Sequence, residues 1–257
     1  MRRVNHLKAK INAGTPVVGV WLGLADTAVA EITSRAGYDF LIIDSEHGGM
    51  ELQTSTDMMR AAAAGDAEAL VRVPSHDPNY LKRILDAGAT SLMIPMVNTA
   101  DQARAIVDAC RYPPHGSRGF AAPAVRASRY GEDADYIHWA HEELFITAQI
   151  ETIEAVENAE EIASVDGIDM LFVGVGDLSG SFGKLTETAC PEVEEALIKI
   201  KAAAKKHGKT VGTIPRPGVP TSDLPKDGFL LGAGAVDTMM LRAAALADVE
   251  AFRKVNG

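Results

Sequence analysis

The stretch FITAQIETIEAVENAEEIASVDGIDMLFVG, residues 145–174, reads as one complete strand–helix–strand unit. Its two ends, FITAQIE from Phe145 and IDMLFVG from Ile168, are short and nearly continuous apolar runs, as expected of strands covered on both faces. Between them TIEAVENAEEIASV carries apolar residues at helical spacing, opens on Thr152 and gives way to Gly167, residue types that start and stop helices. Strands joined through a helix run parallel, so a chain that repeats this unit builds an α/β fold.

Outward from this unit the pattern recurs. Strand-like runs are PVVGVWLG from Pro16, FLIIDSE from Phe40, ALVRVP from Ala69, SLMIPMV from Ser91, TVGTIP from Thr210 and FLLGAG from Phe229. Helical stretches such as DTAVAEITSRAG, NYLKRILDAG, TADQARAIVDACRY and CPEVEEALIKIKAAAKKHG separate them. Eight units of about 32 residues each predict a closed (β/α)8 TIM barrel, formed as a single domain over residues 1–257, rather than an open doubly wound sheet. The regularity lapses at residues 113–143, a long connection before the fifth strand. It lapses again at PRPGVPTSDLPKDG from Pro215, which replaces most of the seventh helix. Long βα loops border a barrel's site, so both segments are expected near it.

Composition narrows the partners. Lys and Arg total 25 against 35 Asp and Glu, a net charge of −10, and no stretch gathers the basic residues, which excludes a nucleic-acid partner. No apolar run approaches the roughly 20 residues that span a bilayer, so no membrane partner is expected. MRRVNHLKAKINAG lacks the apolar segment of a secretory signal and reads as a short capping helix of a cytoplasmic protein. Cys110 and Cys190 are too few for a disulfide scaffold and lack zinc-site spacing.

A barrel delivers its chemistry from the C-terminal ends of several strands. That filter keeps Asp44, Ser45, Glu46 and His47 after the second strand, Arg72 in the third, Gln149 and Glu151 on the fifth, and Asp177 in GVGDLSGSFG after the sixth. Glu151 and Asp177, with no cysteine or second histidine nearby, suit a hard divalent cation, Mg2+, Mn2+ or Co2+, that keeps positions open for water and substrate. Each alone reads equally well as a helix N-cap; their joint position favours the metal. His47, followed by two glycines, projects into the mouth as a general base. Asp44, three residues earlier, orients it if the chain bends, and Asp86, near the end of the helix after the third strand, is a second orienter only if a neighbouring subunit supplies it. Arg72 interrupts an apolar run and needs an anion. A structural ion pair would serve, but the expectation is a clamp on a substrate carboxylate or a developing enolate oxygen. Gly174, Gly176 and Gly180 miss the GxGxxG dinucleotide pattern because position 179 is serine, and they are read as bringing backbone amides close to a substrate carboxylate. No lysine ends a strand, so a Schiff base has no seat.

Several motifs then resemble, in order and over most of the chain, those of the HpcH/HpaI family of metal-dependent, class II pyruvate aldolases, within the phosphoenolpyruvate/pyruvate-domain barrels. They are WLGLADTAVAEI from Trp21, AGYDFLIIDSEHG from Ala36, LVRVPSHDPNYLKRILDAGA from Leu70, IPMVNTADQAR from Ile94, RYPPHGSRG from Arg111, QIET from Gln149 and FVGVGDLSGSFG from Phe172. The resemblance implies Glu151 and Asp177 as metal ligands, His47 in acid–base chemistry with support from Asp44, and Arg72 on the pyruvyl oxygens. Gln149 and Trp21 border the same site. It implies reversible cleavage of a 4-hydroxy-2-oxo acid to pyruvate and an aldehyde through a metal-stabilised pyruvate enolate, as used in aromatic catabolism. It also implies a C-terminal helix, from Val236 onward, swapped between subunits of a hexamer built as a trimer of dimers. Two departures stand out: Val175 and Gly176 replace an expected proline- or alanine-containing turn, and segment 215–229 is not the usual seventh crossover. Three rivals use parts of the same reading. One is a decarboxylase or other carbon–carbon lyase acting on oxaloacetate or a related acid. Another is a phosphoenolpyruvate-type enzyme with a phosphate seat at Gly232. The last is a non-catalytic ligand-binding barrel, against which the joint presence of Glu151, Asp177, His47 and Arg72 counts.

Overall fold

The computed structural model describes residues 2–256; Met1 and Gly257, the ends of the 1–257 domain reading, lie outside the described residues. Eight strands follow one another: β1 Val17–Leu22, β2 Phe40–Asp44, β3 Glu68–Arg72, β4 Ser91–Ile94, β5 Phe145–Ile150, β6 Met170–Val173, β7 Thr210–Thr213 and β8 Leu231–Val236. Each pairs in parallel with the next and β8 pairs with β1, closing a barrel in sequence order. The fold is therefore a parallel eight-stranded α/β barrel of the TIM type. All eight expected strands are present, and the helix of residues 152–165 is broken at Asn158 into Ile153–Glu157 and Ala159–Ala163.

The period of two along each strand sorts the side chains. Phe40, Ile42, Leu70, Met93, Phe145, Met170, Phe172, Leu231 and Ala233 fill the interior, whereas Leu41, Ile43, Val71, Leu92, Ile146 and Leu171 face the helices. The helix His6–Asn12 caps the N-terminal end, placing Leu7 and Ile11 in the interior cluster. Asn5 begins this helix with its side chain accepting from Lys8 N, and its amide also donates to Thr90, Ser91 and Glu143, which fixes the plug to the barrel floor.

Residues 113–143 depart from expectation. They follow helix Ala100–Cys110 and precede β5, so they form an αβ connection at the floor and not a βα loop at the mouth of their own barrel. Their two 3-10 turns and helix Tyr136–Glu143 enclose a separate cluster of Tyr112, Ala122, Tyr136, Trp139 and Ala140. Segment 215–229 does lack a seventh α-helix and holds one 3-10 turn, Thr221–Asp223. The C-terminal helix, Asp237–Asn256, buries Asp237 alone among its described residues and leaves Met239, Leu241, Leu246, Phe252 and Val255 exposed.

Interior volume also explains Gly19. A Cβ there would lie 2.3 Å from Cε2 of the fully buried Phe40, beside the bulge where the β1–β8 register shifts. Gly19→Ala should destabilise the barrel by about 1–3 kcal/mol, as overpacking does. Adding Phe40→Leu should recover part of that loss in urea unfolding; strictly additive losses would show that the ring and the glycine do not share the space.

Candidate active site

The mouth of the barrel is built from the inward positions nearest the strand ends. Asp44 and Arg72 are registered neighbours across β2 and β3. The guanidinium donates from Nε to Asp44 Oδ1 at 2.9 Å and from Nη2 to Asp44 Oδ2 at 2.6 Å, while Nη1 lies 3.0 Å from Glu46 Oε2. Burial works against charge on Asp44, but the Arg72 fork outweighs it and holds this carboxyl below the usual range. Both residues are more than nine-tenths buried, so the anion that Arg72 required is supplied by the chain itself. The hydrogen bonds to Asp44 use two of the five guanidinium N–H groups, and the others, on the side of the Glu46 ion pair and the mouth, are left for a ligand.

Asp44 reaches His47 differently from expectation. Its Oδ1 accepts from the backbone N–H groups of Glu46 and His47, each at 3.2 Å, and thereby shapes the turn instead of orienting the imidazole. The imidazole stands in the mouth with its side chain 67% exposed, and Nε2 is 3.9 Å from Glu46 Oε2. Glu46 is therefore the carboxylate beside both His47 and Arg72. Burial raises its pKa, with Asp44 and Asp177 adding to the rise and Arg72 opposing it. The strand-end filter keeps Glu46 among the candidates without a role; its place in the turn after β2 sets it beside both partners.

Glu151 follows β5 and is 3% exposed. Its Oε1 accepts from the backbone N–H of Met96 at 2.7 Å and its Oε2 from Gln149 Nε2 at 2.9 Å. Met96 holds φ of +54°, a left-handed conformation that strains a side-chain-bearing residue and here turns its N–H onto the carboxylate. No sequence signal announces a backbone donor of that kind. Gly174 leaves room for the same carboxylate, since a Cβ there would be 2.5 Å from Glu151 Oε2. Gly176 faces open space, so a Cβ at that position would meet nothing within 4 Å. Asp177 is exposed on helix Val175–Ser181, close enough for its charge to act on both Glu151 and Glu46.

This donor set fits a divalent cation. Burial raises the Glu151 pKa to about 7, and the negative charges of Asp177 and Glu46 add to the rise. Gln149 Oε1 is buried beside it without a hydrogen-bond partner. A hard cation would relieve the carboxylate repulsion and favour oxygen donors. Among the described residues no group of three or more His, Cys, Asp or Glu side chains is arranged to hold a metal ion; Glu151 and Asp177 are the two carboxylates that would hold one here.

Trp21 completes one wall. Its ring lies 4.5 Å from the Arg72 guanidinium carbon and its Nε1 donates to the Ala233 carbonyl at 3.1 Å. Asp86 is not brought to this mouth within the subunit: it ends the helix Pro78–Asp86, toward the barrel floor, and pairs with Arg118 at 2.6 Å. Lys184, the lysine nearest the site in sequence, pairs with Glu192 at 2.6 Å.

The raised Glu151 pKa has a definite sign in stability. Between about pH 4.5 and 7 the metal-free folded protein binds a proton that the unfolded chain releases, so stability from this group falls as pH rises through that window. Urea unfolding at pH 5 and pH 8 should show a loss for wild type that shrinks in Glu151→Gln; equal losses would remove Glu151 as the source.

With this geometry in view, the comparisons with known proteins are specific. A sequence model described as HpcH/HpaI aldolase/citrate lyase matches residues 17–244. The chain is 39% identical over 257 residues to 4-hydroxy-2-oxovalerate aldolase of Rhodococcus jostii, covering 98% of this chain and 97% of that protein. It is 40% identical over 252 residues to 4-hydroxy-2-oxo-heptane-1,7-dioate aldolase of Salmonella paratyphi C, covering 96% and 94%. The crystal structure of an HpcH/HpaI aldolase/citrate lyase family protein from Burkholderia cenocepacia superposes with a TM-score of 0.92 at 35% identity, covering 97% of this chain and all of that one. A match over most of the barrel, from β1 into the C-terminal helix, together with relatives of this identity and full-length coverage, makes the chain a member of the HpcH/HpaI aldolase/citrate lyase family.

Proposed function

We propose that this chain is a divalent-metal-dependent aldehyde-lyase that reversibly cleaves a 4-hydroxy-2-oxo acid to pyruvate and an aldehyde. The observation that carries the reading is the meeting, at one barrel mouth, of a raised-pKa carboxylate, a second carboxylate, an arginine with unused donors and an exposed histidine. The aldolase names of relatives at 39–40% identity support it, and they do not favour decarboxylase or non-catalytic readings.

Glu151 and Asp177 would hold the cation, Mg2+, Mn2+ or Co2+. Bound there, it would supply Lewis-acid stabilisation of negative charge on a 2-oxo acid. The remaining steps fall to the chain. N–H groups of Arg72 not bonded to Asp44 donate to the pyruvyl oxygens and strengthen as charge develops on them. Gln149, Gly174 and the open backbone at Gly176 border the same acid. His47 takes the C4 hydroxyl proton, and the C3–C4 electron pair passes to the pyruvyl fragment as the aldehyde leaves. Glu46 lies beside Nε2, while Asp44 holds the turn and the guanidinium in place. Asp86 joins this site only from a neighbouring subunit.

The assembly belongs to the same reading. Val18, on the outward face of β1 beside β8, is 40% exposed, and a cleft of about 380 Å3 there is lined by Val17, Val18, Leu224, Pro225 and Gly232. The projecting C-terminal helix carries apolar residues with nothing to cover them in its own subunit. An exchange of this helix between subunits answers both needs, in a homo-oligomer built as a trimer of dimers. We place the protein in the cytoplasm, in aromatic catabolism, acting as one barrel domain over 1–257. No helix among the described residues is long and apolar enough to cross a membrane.

Exchange of the pyruvate methyl protons in D2O, followed by NMR, tests the chemistry without knowledge of the aldehyde. It should require added divalent metal and disappear with chelator; its absence under every metal condition would sink the aldolase reading. Arg72→Lys should keep metal binding yet lower kcat by about 10²-fold, the scale of losing an oxyanion donor, because lysine offers no planar fork. Near-normal turnover of the folded variant would return Arg72 to a purely structural role. His47→Ala should lose about 10²-fold or more of cleavage with metal retained, and an unchanged rate across pH would reassign the base. Light scattering should give a multiple of the 27.3 kDa chain mass, reduced by Leu241→Glu with Phe252→Glu. A monodisperse wild-type monomer would refute the exchange.

A further inference from the structure

We propose that Asp237 is a positioning residue for the active-site mouth: its carboxylate ties the end of β1 to the end of β8 and so keeps Trp21 seated on Arg72. Asp237 is 5% exposed, and its hydrogen bonds are to backbone and not to a Lys, Arg or His among the described residues. Its partners are backbone amides. Oδ1 accepts from Gly23 N at 3.0 Å and from Thr238 N at 2.6 Å, and Oδ2 accepts from Leu24 N at 2.9 Å. A buried carboxylate without a cation is costly, and three amide donors together with the amino end of a 20-residue helix are what offset that cost.

The location gives the contact its meaning. Strand pairing between β1 and β8 ends at Trp21↔Val236, after a register shift between Gly19 and Val20. Beyond that point the two chain segments have no ladder to hold them, and Asp237 supplies the next connection, to Gly23 and Leu24. Trp21 lies two residues before Gly23, anchored to β8 by its indole N–H and stacked on the guanidinium. Val18, on the outward face of this seam, is 40% exposed. Release of Gly23 and Leu24 would free the end of β1 and let the indole leave the guanidinium, while Arg72 keeps its fork on Asp44 and the barrel keeps its core. The catalytic part of this inference rests on the reading of Arg72 proposed above; the conformational part does not.

The two tryptophans of the chain make the test direct, because Trp139→Phe leaves Trp21 as the sole indole reporter. In that background, Asp237→Ala should shift Trp21 emission to the red and increase its quenching by acrylamide. Metal-dependent pyruvate methyl exchange should fall by at least about tenfold, within the roughly 10²-fold that a small misplacement can cost. Far-ultraviolet circular dichroism should stay unchanged. Asp237→Asn, which keeps one acceptor oxygen, should restore both signals in part, and it serves as the test variant if the alanine protein does not fold. Unchanged emission and quenching in a folded Asp237 variant would overturn the proposal. So would a shifted indole with undiminished exchange. Should wild type show no exchange at all, the aldolase reading fails, and the indole signal still decides whether Asp237 holds the seam.

Discussion

Inside the mouth of the barrel, Arg72 and Asp44 face each other as paired residues of adjacent strands, joined by two parallel N–H···O contacts. A guanidinium and a carboxylate taken out of water are tolerated only with such geometry, and removing one partner of a buried pair costs about 3–5 kcal/mol. The rest of the mouth is organised around this pair. Asp44 also holds the backbone of Glu46 and His47, so the turn that carries the histidine is fixed by the carboxylate that neutralises the arginine. Glu46 forms a second ion pair with the guanidinium, and Trp21 covers it. One buried cation thus orders the ends of β1, β2 and β3.

Across the mouth the electrostatics reverse. Asp44 is held ionised by its cation, whereas Glu151, equally buried, is met by a backbone amide and a glutamine amide and by the negative fields of Asp177 and Glu46. One wall is self-neutralised and the other lacks positive charge. On the function proposed above, a divalent ion and an anionic 2-oxo acid would add opposite charges to such a site: the ion would satisfy the carboxylate wall and the acid would use the donors left on Arg72. The cavity of about 640 Å3 at the barrel floor, lined by Arg3, His6, Lys10, Glu68 and Arg126, has no part in this arrangement.

The seam between β8 and β1 is where the barrel depends least on its own helices. The β7–β8 connection holds only the 3-10 turn Thr221–Asp223, and the C-terminal helix leaves the barrel with its apolar residues in solvent. Asp237 sits where that helix departs and reaches back to the β1 loop. The arrangement brings the base of the projecting helix within one hydrogen bond of the segment that follows Trp21.

The eight strands were legible because each is a local pattern: buried on both faces, bounded by turn residues and separated by helices whose first residues cap them. Glu151, Asp177, Arg72 and His47 were legible as polar residues at strand ends, a rule that needs strand order and direction alone. What each polar group touches was not. Asp44 and His47 are three residues apart in sequence, yet Asp44 meets Arg72, 28 residues away, through strand register. The floor position of residues 113–143 follows from counting which side of a helix they leave, a step the sequence permits. The left-handed turn at Met96, the cradle at Gly174, the pairing of Asp86 with Arg118 and the reach of Asp237 across 214 residues to Gly23 arise only when the barrel closes. Periodicity and capping are properties of neighbouring residues and can be read along the chain. The partner of a buried charge is set by which strands lie side by side and in what register, and that is decided by the packing of the whole.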